Sequence, residues 1–473
     1  MPKEMWVDIC VVGAGAGGLS VAAGASQMGA TVALLEREKM GGDCLNYGCI
    51  PSKSLIYAGR VLQTLRSAPR LGIETDVSGI DFNKIQQNIA QAINAISPND
   101  SAERFEALGV KVIRETGTFV GDNILRVGDT VLHANRIVLA VGSAIKIPSI
   151  PGLENVPYLT NKTIFDQTAA PEHLIVLGAG ATGSELAQAY RRLGCEVTLL
   201  EMCTLLNQDD PELVDILRTQ LFREGVNLIE RADVLCVDAT PTSISVSFKK
   251  GDQEQKVVGS HLLLAAGRAP NLQGLNLEAA GIEYDEMGIK VDSRLRTSNK
   301  KVFAIGDVIN GPKFTHVANY HAGVVLRSAL FKLPAKVNYV AVPRVTYTDP
   351  EIACVGMTEA TARKKYSDIR ILRHPFSQND RAVLQGMTDG LVKVITTKKG
   401  IILGAAAVGP DAGELIQSWI LPIKKRMKIS TMASLIMPYP TLGEVNRRVA
   451  TNFYLPLLFS DKIKWIVRFL LKF

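Results

Sequence analysis

Cysteine is scarce in this chain, which has seven among 473 residues. So low a content excludes a small disulfide-stabilised scaffold of the secreted type. Uninterrupted apolar runs long enough to cross a bilayer are also lacking, so no transmembrane helix is predicted. The apolar stretch 7–30 is interpreted as strand, glycine-rich turn and helix rather than as a signal peptide. A cytoplasmic protein is therefore expected.

A strong charge of one sign is absent from most of the chain. The formal net charge is +7, but residues 421–473 alone hold ten basic and two acidic residues, so the remainder carries −1. This distribution excludes a general polyanion-binding surface, and no nucleic-acid partner is predicted. With 47% hydrophobic residues, the chain is expected to form two to four globular domains.

One motif occurs twice: a strand, GxGxxG, a helix, a second strand and an acid. The first glycine permits a tight turn, the second lets a pyrophosphate approach the backbone, and the third lets helix and strand pack closely. The pyrophosphate then lies at the positive end of the helix. The acids, Glu36 and Glu201, would accept hydrogen bonds from a ribose hydroxyl. The glycines are Gly13, Gly15 and Gly18 in the first copy and Gly178, Gly180 and Gly183 in the second. Two dinucleotide sites are therefore predicted.

Two cysteines stand in the segment 41–53, GGDCLNYGCIPSK, between the first glycine motif and a predicted helix. Cys44 and Cys49 are spaced more widely than in a CxxC motif, and the segment lacks the second Cys or His pair of a zinc site, so no metal site is predicted. With Lys53 close behind, the pair is interpreted as a redox-active disulfide beside a bound cofactor. Two ordinary buried cysteines that never pair are the alternative. The remaining cysteines are interpreted as core or surface thiols in a reducing cytosol: Cys10, Cys195, Cys203, Cys236 and Cys354.

Further motifs follow along the chain, namely AAGRAPN at 265–271, FAIGD at 303–307 and PRVTYTDPEIACVGMTE at 343–359. Together with the cysteine segment and the two glycine motifs, they make the chain resemble the FAD-dependent pyridine nucleotide–disulfide oxidoreductases from about residue 6 to about residue 450. That family includes lipoamide dehydrogenase, glutathione reductase and mercuric reductase. The resemblance is greatest to the first and the last of these.

The resemblance implies an α/β fold with two Rossmann-like dinucleotide-binding domains, for FAD and NAD, plus a C-terminal α+β dimerisation domain in a homodimer. The implied segments are 1–149 and 273–338 for FAD binding, 150–272 for NAD binding, 339–452 for the dimer interface and 453–473 for a basic tail.

The resemblance also implies the cofactor contacts. FAD would be held by Gly13, Gly15, Gly18, Glu36, Lys53, Gly142, Asp307 and Ala318. NAD(H) would be held by Gly178, Gly180, Gly183, Glu201 and Gly267. NAD is favoured over NADP because residues 202–204 supply no cation for a 2′-phosphate. A helix beginning near Thr315 would point its positive end at the flavin, and His316 is interpreted as a backbone contact rather than a base.

The implied chemistry is an electron relay from NADH through the flavin to a disulfide between Cys44 and Cys49. Cys49 would face the flavin and Cys44 the substrate. Lys53 or a helix N-terminus would stabilise the reactive thiolate. Glu185 would form an ion pair with Lys53 beside the flavin.

The segment 437–444, MPYPTLGE, departs from the family pattern. Disulfide reductases of this family complete the site with a histidine and a glutamate from the partner subunit, and the histidine exchanges protons with the substrate-facing thiol. Here Glu444 is kept, but Tyr439 stands at the histidine position. A phenol with a pKa near ~10 is a poor base at neutral pH. Slow oxidation of a dihydrolipoyl dithiol is therefore predicted.

The main prediction is an NADH-linked flavoprotein acting on a disulfide, a lipoyl group or a soft metal, similar to dihydrolipoyl dehydrogenase. A metal reductase similar to mercuric reductase is the first alternative, because those enzymes also carry tyrosine in this region. They deliver the metal through a C-terminal cysteine pair, however, and this sequence has no cysteine after Cys354. An N-terminal metal-binding domain is not expected either. A membrane-docked NADH:quinone or redox-protein reductase is the second. A non-catalytic redox sensor is the third and the least favoured.

A basic amphipathic helix is predicted within 460–473. Ile463, Ile466, Val467 and Leu470 share one face, opposite a polar stripe. The helix is too short to span a bilayer. Its Trp and Phe residues beside basic ones are typical of an anchor at a membrane surface or on a membrane protein, which would place the protein on the inner face of the membrane. Packing on the interface domain or on the dimer mate is the alternative.

Overall fold

The structure is a computed structural model, and it describes residues 3–77 and 79–473. Contacts divide the chain into two units. Unit 1 comprises Met1–Gly178, Leu193–Glu196 and Val234–Val337, and unit 2 comprises Ala179–Arg192, Val197–Asp233 and Asn338–Phe473. Helices and strands occur throughout both units, which confirms the predicted α/β class.

The strands, in chain order, are β1 (Lys3–Val12), β2 (Val32–Leu35), β3 (Val110–Ile113), β4 (Gly117–Gly121), β5 (Ile124–Val127), β6 (Thr130–Leu139), β7 (Ser143–Ile145), β8 (His173–Leu177), β9 (Glu196–Glu201), β10 (Asn227–Glu230), β11 (Ala232–Ala239), β12 (Ile244–Lys250), β13 (Gln253–Gly259), β14 (His261–Leu264), β15 (Arg268–Pro270), β16 (Tyr284–Asp285), β17 (Gly288–Ile289), β18 (Val302–Ala304), β19 (Pro343–Thr346), β20 (Glu351–Gly356), β21 (Ile369–Pro375), β22 (Leu391–Thr397) and β23 (Ile402–Gly409).

The α-helices are α1 (Ala16–Gln27), α2 (Gly42–Asn46), α3 (Cys49–Ser67), α4 (Phe82–Ile96), α5 (Ala102–Ala107), α6 (Ala181–Arg192), α7 (Pro211–Arg223), α8 (Thr315–Ala329), α9 (Glu359–Lys365), α10 (Asp380–Gln385), α11 (Ala412–Leu415), α12 (Gln417–Lys424), α13 (Ile429–Ala433), α14 (Glu444–Thr451), α15 (Leu455–Leu458) and α16 (Asp461–Leu470).

A mixed sheet in the order β3-β2-β1-β6-β5-β4 forms the centre of unit 1, and β18 also pairs with β6. Strand β6 is long enough to serve two partners on one edge, because β5 pairs antiparallel with its first half and β18 parallel with its second half. The parallel strand β2 reads Val-Ala-Leu-Leu and is buried at every position. Such uninterrupted apolar composition is typical of a strand covered on both faces.

Each glycine motif makes the tight turn that the sequence predicts. Gly13 has a φ of +104°, and a Cβ there would lie 2.5 Å from the carbonyl oxygen of Ala140. Gly178, at the equivalent place in the second motif, has a φ of +105°, and its Cβ would lie 2.6 Å from the carbonyl oxygen of Ala265. A side chain is therefore disfavoured at both positions for two reasons: the backbone has a positive φ, and a Cβ would clash with a carbonyl oxygen.

In unit 2, the strands β19-β20-β23-β22-β21 form an antiparallel sheet. Strand β23 is buried along its whole length. Trp419 of α12 is fully buried, and its indole N–H donates to Asn446 Oδ1 at 2.9 Å. Asn446 in turn donates to the carbonyl oxygen of Leu415 at 2.9 Å, so the helices beside this sheet are joined by a satisfied buried polar pair.

The predicted boundaries between the cofactor-binding, interface and tail segments stay predictions. Across residues 3–77 and 79–473, no helix combines the length and the apolar content that crossing a bilayer requires.

Replacing Gly18 tests the packing of the first motif. In Gly18→Ala, the new methyl group would lie 1.9 Å from the carbonyl oxygen of Gly13, so α1 must move away from the turn. We expect the free energy of unfolding to fall by about 1–3 kcal/mol, as for overpacked cores. The measurement is the thermal unfolding midpoint. Gly323→Ala is the matched control, since a Cβ at this position in α8 meets nothing within 4 Å. An equal midpoint for the two variants would contradict the packing argument.

Candidate active site

The two cysteines of segment 41–53 lie on consecutive short elements of unit 1. Cys44 is in the middle of α2, and Cys49 is the first residue of α3. Gly48 lets the chain fold back between them, because a Cβ there would lie 3.0 Å from the carbonyl oxygen of Asp43 and 3.3 Å from the Cα of Cys44. Cys44 is partly buried and Cys49 is exposed.

Thr315, the first residue of α8, connects the two sulfur atoms. Its hydroxyl group donates to Cys44 Sγ at 3.1 Å and lies 3.6 Å from Cys49 Sγ. Both sulfurs therefore lie at the start of a helix whose positive end favours negative charge nearby. The sequence predicted this helix start, but not the contact between the hydroxyl and the sulfurs. The predicted orientation of the helix toward the flavin stays a prediction.

Cys44 holds its proton more strongly than an ordinary cysteine does. The pKa of its thiol is raised, first by the hydrogen bond with Cys49 and then by burial, while the hydrogen bond from Thr315 acts in the opposite direction. A raised pKa keeps a thiol protonated to higher pH. At neutral pH Cys44 is therefore a thiol, and it needs a proton acceptor before it becomes a nucleophile.

Arg268 ties the cysteine segment to two strand ends of unit 1. Its guanidinium donates to Ser143 Oγ at 2.8 Å, lies 3.0 Å from Asp43 Oδ2 and lies 3.9 Å from Asp307 Oδ2. Ser143 Oγ donates to Asp307 at 2.9 Å, and Asn161 donates to the other oxygen of Asp43 at 2.9 Å. Arg268 thus holds Asp43, the residue before Cys44, close to Asp307, which follows β18.

The cysteine segment also contacts the first glycine turn directly. The backbone N–H of Gly41 donates to the carbonyl oxygen of Ala14 at 3.0 Å. A Cβ on Gly42 would lie 2.7 Å from the Cα of Gly15, so only glycine permits this approach. A group bound on this turn would therefore lie close to the cysteine segment.

The two predicted ribose-binding acids play the same structural part in each motif. Glu36 accepts from the backbone N–H of Ala14 at 2.7 Å, and Glu201 accepts from that of Ala179 at 2.7 Å. The second oxygen of Glu201 accepts from the backbone N–H of Cys203 at 2.8 Å. Each carboxylate is thus fixed beside its turn, and each oxygen keeps a lone pair for a further donor.

The strand-end glycines present open backbone. Gly142 and Gly267 have φ values of +68° and +105°, and a Cβ at either would meet nothing within 4 Å. Asp307 follows Gly306, whose N–H donates to Nδ1 of the buried His321 at 3.1 Å. Burial lowers the pKa of His321 to about 4, so the ring is neutral and holds the Gly-Asp turn against α8. Open backbone beside a fixed carboxylate fits a bound dinucleotide.

Four other predicted residues lie on or beside these helices. On α8, His316 stacks on Phe314, with ring centroids 5.2 Å apart, and Ala318 donates its backbone N–H to the carbonyl oxygen of Phe314 in the first turn.

On α3 of unit 1, Lys53 Nζ donates to Ser52 Oγ at 3.4 Å. On α6 of unit 2, the buried Glu185 accepts from the N–H of Tyr347 at 2.8 Å. The predicted ion pair between Lys53 and Glu185 joins two units and stays a prediction.

Tyr439 and Glu444 both lie in unit 2 and are each engaged by local partners. Tyr439 is 68% exposed, and its hydroxyl donates to Asp380 at 2.9 Å. That hydrogen bond, with the negative charge of Asp380, raises the pKa of Tyr439 above its ordinary value. The buried Glu444 accepts from Arg447 at 3.0 Å and from Arg448 at 2.9 Å. A raised pKa keeps the phenol protonated to still higher pH, so it supplies no base at neutral pH.

Sequence reasoning missed three contributors: Thr315 as a sulfur ligand, Arg268 and His321. Arg268 stands inside the AAGRAPN motif, and a charged residue in a fixed motif was a usable signal. Thr315 gave no such signal, because 271 positions separate it from Cys44 and only the folded chain brings them together.

Comparison with known families gives two adjoining matches. Residues 7–322 match the description "pyridine nucleotide-disulphide oxidoreductase", and residues 342–450 match its dimerisation domain.

Curated relatives carry two names. A mercuric reductase of Bacillus cereus is 32% identical over 92% of this chain and 70% of its own length. A dihydrolipoyl dehydrogenase of Bacillus subtilis is 34% identical over 94% of this chain and 95% of its own length. Among solved structures, the Cu(II) complex of the HOCl-induced flavoprotein disulfide reductase RclA from Escherichia coli is 26% identical, with a TM-score of 0.85 over 93% of this chain and 99% of that chain.

Replacing Thr315 by valine tests its contact with the sulfurs. Because its hydrogen bond lowers the Cys44 pKa, its loss should raise that pKa further and shift thiolate formation to higher pH. We expect iodoacetamide to alkylate Cys44 of the reduced protein about threefold to tenfold more slowly at a fixed pH, as for the loss of one hydrogen bond. The measurement is the pH dependence of the alkylation rate at Cys44, followed by peptide mass spectrometry. Thr315→Ser, which keeps the hydroxyl, should react like the wild type. Equal rates for the valine variant and the wild type would show that the contact is unimportant.

Proposed function

The chain belongs to the pyridine nucleotide-disulphide oxidoreductase family, and we propose that it is an NADH-linked flavoprotein whose Cys44 and Cys49 pass electrons to a disulfide, a lipoyl group or a soft metal ion. One observation carries the proposal: the sulfur atoms of Cys44 and Cys49 both contact the hydroxyl of Thr315 at the start of α8. The contact of the same segment with the first glycine turn supports it.

Members of this family contain FAD and use NAD(P)H. Bound FAD supplies two-electron transfer between a nicotinamide and sulfur. The residues proposed to hold it are Gly13, Gly15, Gly18, Glu36, Lys53, Gly142, Asp307 and Ala318. The open backbone at Gly142 and the fixed carboxylates of Glu36 and Asp307 fit this role.

The second motif is proposed to bind NADH through Gly178, Gly180, Gly183, Glu201 and Gly267. The carboxylate of Glu201 is anchored by two backbone N–H groups, those of Ala179 and Cys203. A carboxylate held there accepts a ribose 2′-hydroxyl and repels a 2′-phosphate. NADH is therefore proposed as the electron donor in preference to NADPH.

With a disulfide as the acceptor, the two cysteines react one after the other. Cys44, as thiolate, attacks one acceptor sulfur; the acceptor S–S bond breaks, one thiol leaves and a mixed disulfide forms. Cys49 then attacks Cys44 Sγ, which releases the second thiol and joins Cys44 to Cys49. Two electrons from NADH restore both thiols, so NADH, one proton and a disulfide give NAD⁺ and two thiols.

The identity of the acceptor depends on how Cys44 loses its proton. Its raised pKa demands a base, and Tyr439, with its own pKa raised by Asp380, does not act as one at neutral pH. A soft metal ion removes the need for a base, because coordination to the metal lowers the pKa of the thiol and the proton is released. We therefore place a soft metal ion above a disulfide or lipoyl acceptor, since reduction of either of these needs the Cys44 thiolate. The name mercuric reductase among the relatives agrees with this order.

The matched dimerisation domain supports a homodimer. In such a dimer, the loop that holds Tyr439 and Glu444 is proposed to serve the cysteine pair of the partner subunit. A cytoplasmic location stays a prediction.

Replacing Tyr439 by histidine tests the missing base. We expect Tyr439→His to raise the rate of dihydrolipoamide oxidation by up to about 100-fold, as for a positioned general base. The rate should rise with pH through the imidazole pKa of about 6.5. The measurement is steady-state NAD⁺ reduction against pH. Tyr439→Phe, which also lacks a base, should match the wild type. If Tyr439→Phe lost activity and Tyr439→His gained none, the phenol itself would be the working group.

The assignment of Cys49 to the flavin-facing position can be tested by anaerobic titration with NADH. We expect a long-wavelength absorption band, from a thiolate beside the flavin, in the wild type and in the control Cys236→Ser. Cys49→Ser should lose the band, because it lacks the donor sulfur, and should also lose turnover with disulfide and Hg(II) acceptors. A band that persists in Cys49→Ser would assign the flavin-facing sulfur to another residue.

A further inference from the structure

The last two helices of unit 2, α15 and α16, bury none of their side chains. Large apolar residues in and just after these helices are instead open to solvent, with Trp465 67%, Leu471 80% and Phe473 96% exposed. Ile463 and Ile466 are only partly covered. Ser460 caps α16 by accepting the N–H of Ile463 at 3.4 Å, so this is a defined helix with an uncovered apolar surface. Isolated exposed apolar residues are common on proteins, but a contiguous set marks an interaction site.

The side chains of α16 and of residues 471–473, which follow it, form two rows. Trp465, Phe469 and Phe473 form an aromatic row at intervals of four residues, with ring centroids 6.0 and 5.4 Å apart. The second row is cationic, with the same spacing, and consists of Lys464, Arg468 and Lys472. Residues four apart lie on one side of a helix, so the rows run side by side along it.

The C-terminal segment carries a net positive charge. The segment 455–473 holds four cations and one acid, Asp461, which pairs with Lys464 at 3.3 Å. An interface between protein subunits is normally depleted of Lys at its centre. Aromatic rings beside a row of Lys and Arg instead match the headgroup region of an anionic bilayer, where the rings enter the boundary with the acyl chains and the cations contact phosphate.

Two further observations agree with a surface-lying helix. The match to the family's dimerisation domain ends at residue 450, so the segment lies outside the part of the chain that matches the family interface. The ten residues of α16 rise about 15 Å along the helix axis. That is roughly half the thickness of the hydrocarbon core, so the helix would lie on a bilayer rather than cross it.

We propose that residues 455–473 dock this protein onto the surface of an anionic phospholipid bilayer. Trp465, Phe469 and Phe473 enter the headgroup region, and the cationic row contacts the lipid phosphates. This docking is independent of the electron acceptor and of the cysteine chemistry.

The test is co-sedimentation of the full-length protein with vesicles of phosphatidylcholine alone or mixed with phosphatidylglycerol. The protein should bind only the mixed vesicles, and less at high salt. Removing two cations with Lys464→Gln and Arg468→Gln should lower the partition coefficient about thirtyfold, or about fivefold for each cation. Trp465→Ser should also weaken binding. The matched controls change equally exposed residues elsewhere in unit 2, Lys364→Gln with Lys365→Gln for charge and Phe222→Ser for the aromatic ring, and they should bind like the wild type.

Three outcomes would overturn the proposal. The first is that the wild-type protein binds neither vesicle or binds both equally, a comparison that needs no variant. The second is that the control variants lose as much binding as the tail variants. The third is that Trp465→Ser with Phe469→Ser dissociates an oligomer in sedimentation velocity, which would show that a second copy of the chain covers the helix. NADH oxidation by each variant reports on its folding separately.

Discussion

The close approach of two glycine-bearing backbones determines the arrangement of the redox site. Gly42 lies against Gly15, and Gly41 donates to the carbonyl oxygen of Ala14 at 3.0 Å. A side chain at Gly42 would not fit against Gly15, so whatever binds on the first glycine turn lies next to the residues that lead into Cys44. Arg268 also contacts this segment, through Asp43 at 3.0 Å. Cofactor binding and sulfur position are therefore parts of one constraint.

The two sulfur atoms are held in place by Thr315, but a phenol, that of Tyr439, stands where the family has a histidine base. Thr315 contacts both sulfurs and α8 begins there, which favours a thiolate. Cys44 nevertheless holds its proton, and Tyr439 is tied to Asp380. In the proposed function, such a site favours acceptors whose binding itself lowers the pKa of the Cys44 thiol. Among the relatives, the name mercuric reductase refers to a metal ion, whereas the name dihydrolipoyl dehydrogenase refers to a dithiol.

The sequence predicted the features that depend on local chain geometry. The tight turns at Gly13 and Gly178 and the acids Glu36 and Glu201 lie as expected, because each is set by neighbours within one strand–turn–helix unit. Contacts between distant segments could not be read in this way. The hydroxyl of Thr315 and the ring of His321 reach their partners only after folding, and the hydrogen bond of Tyr439 to Asp380 depends on a residue with no motif.

The main proposal is that Cys44 and Cys49 form the sulfur couple that NADH reduces through a bound flavin. Its most direct test is thiol counting on the purified yellow protein. One equivalent of NADH is added without oxygen, and newly exposed thiols are alkylated and located by peptide mass spectrometry. The account predicts two new alkylated sites, at Cys44 and Cys49, and no change at the remaining cysteines. A protein that retains no flavin, or an alkylation pattern that NADH does not alter, would contradict it.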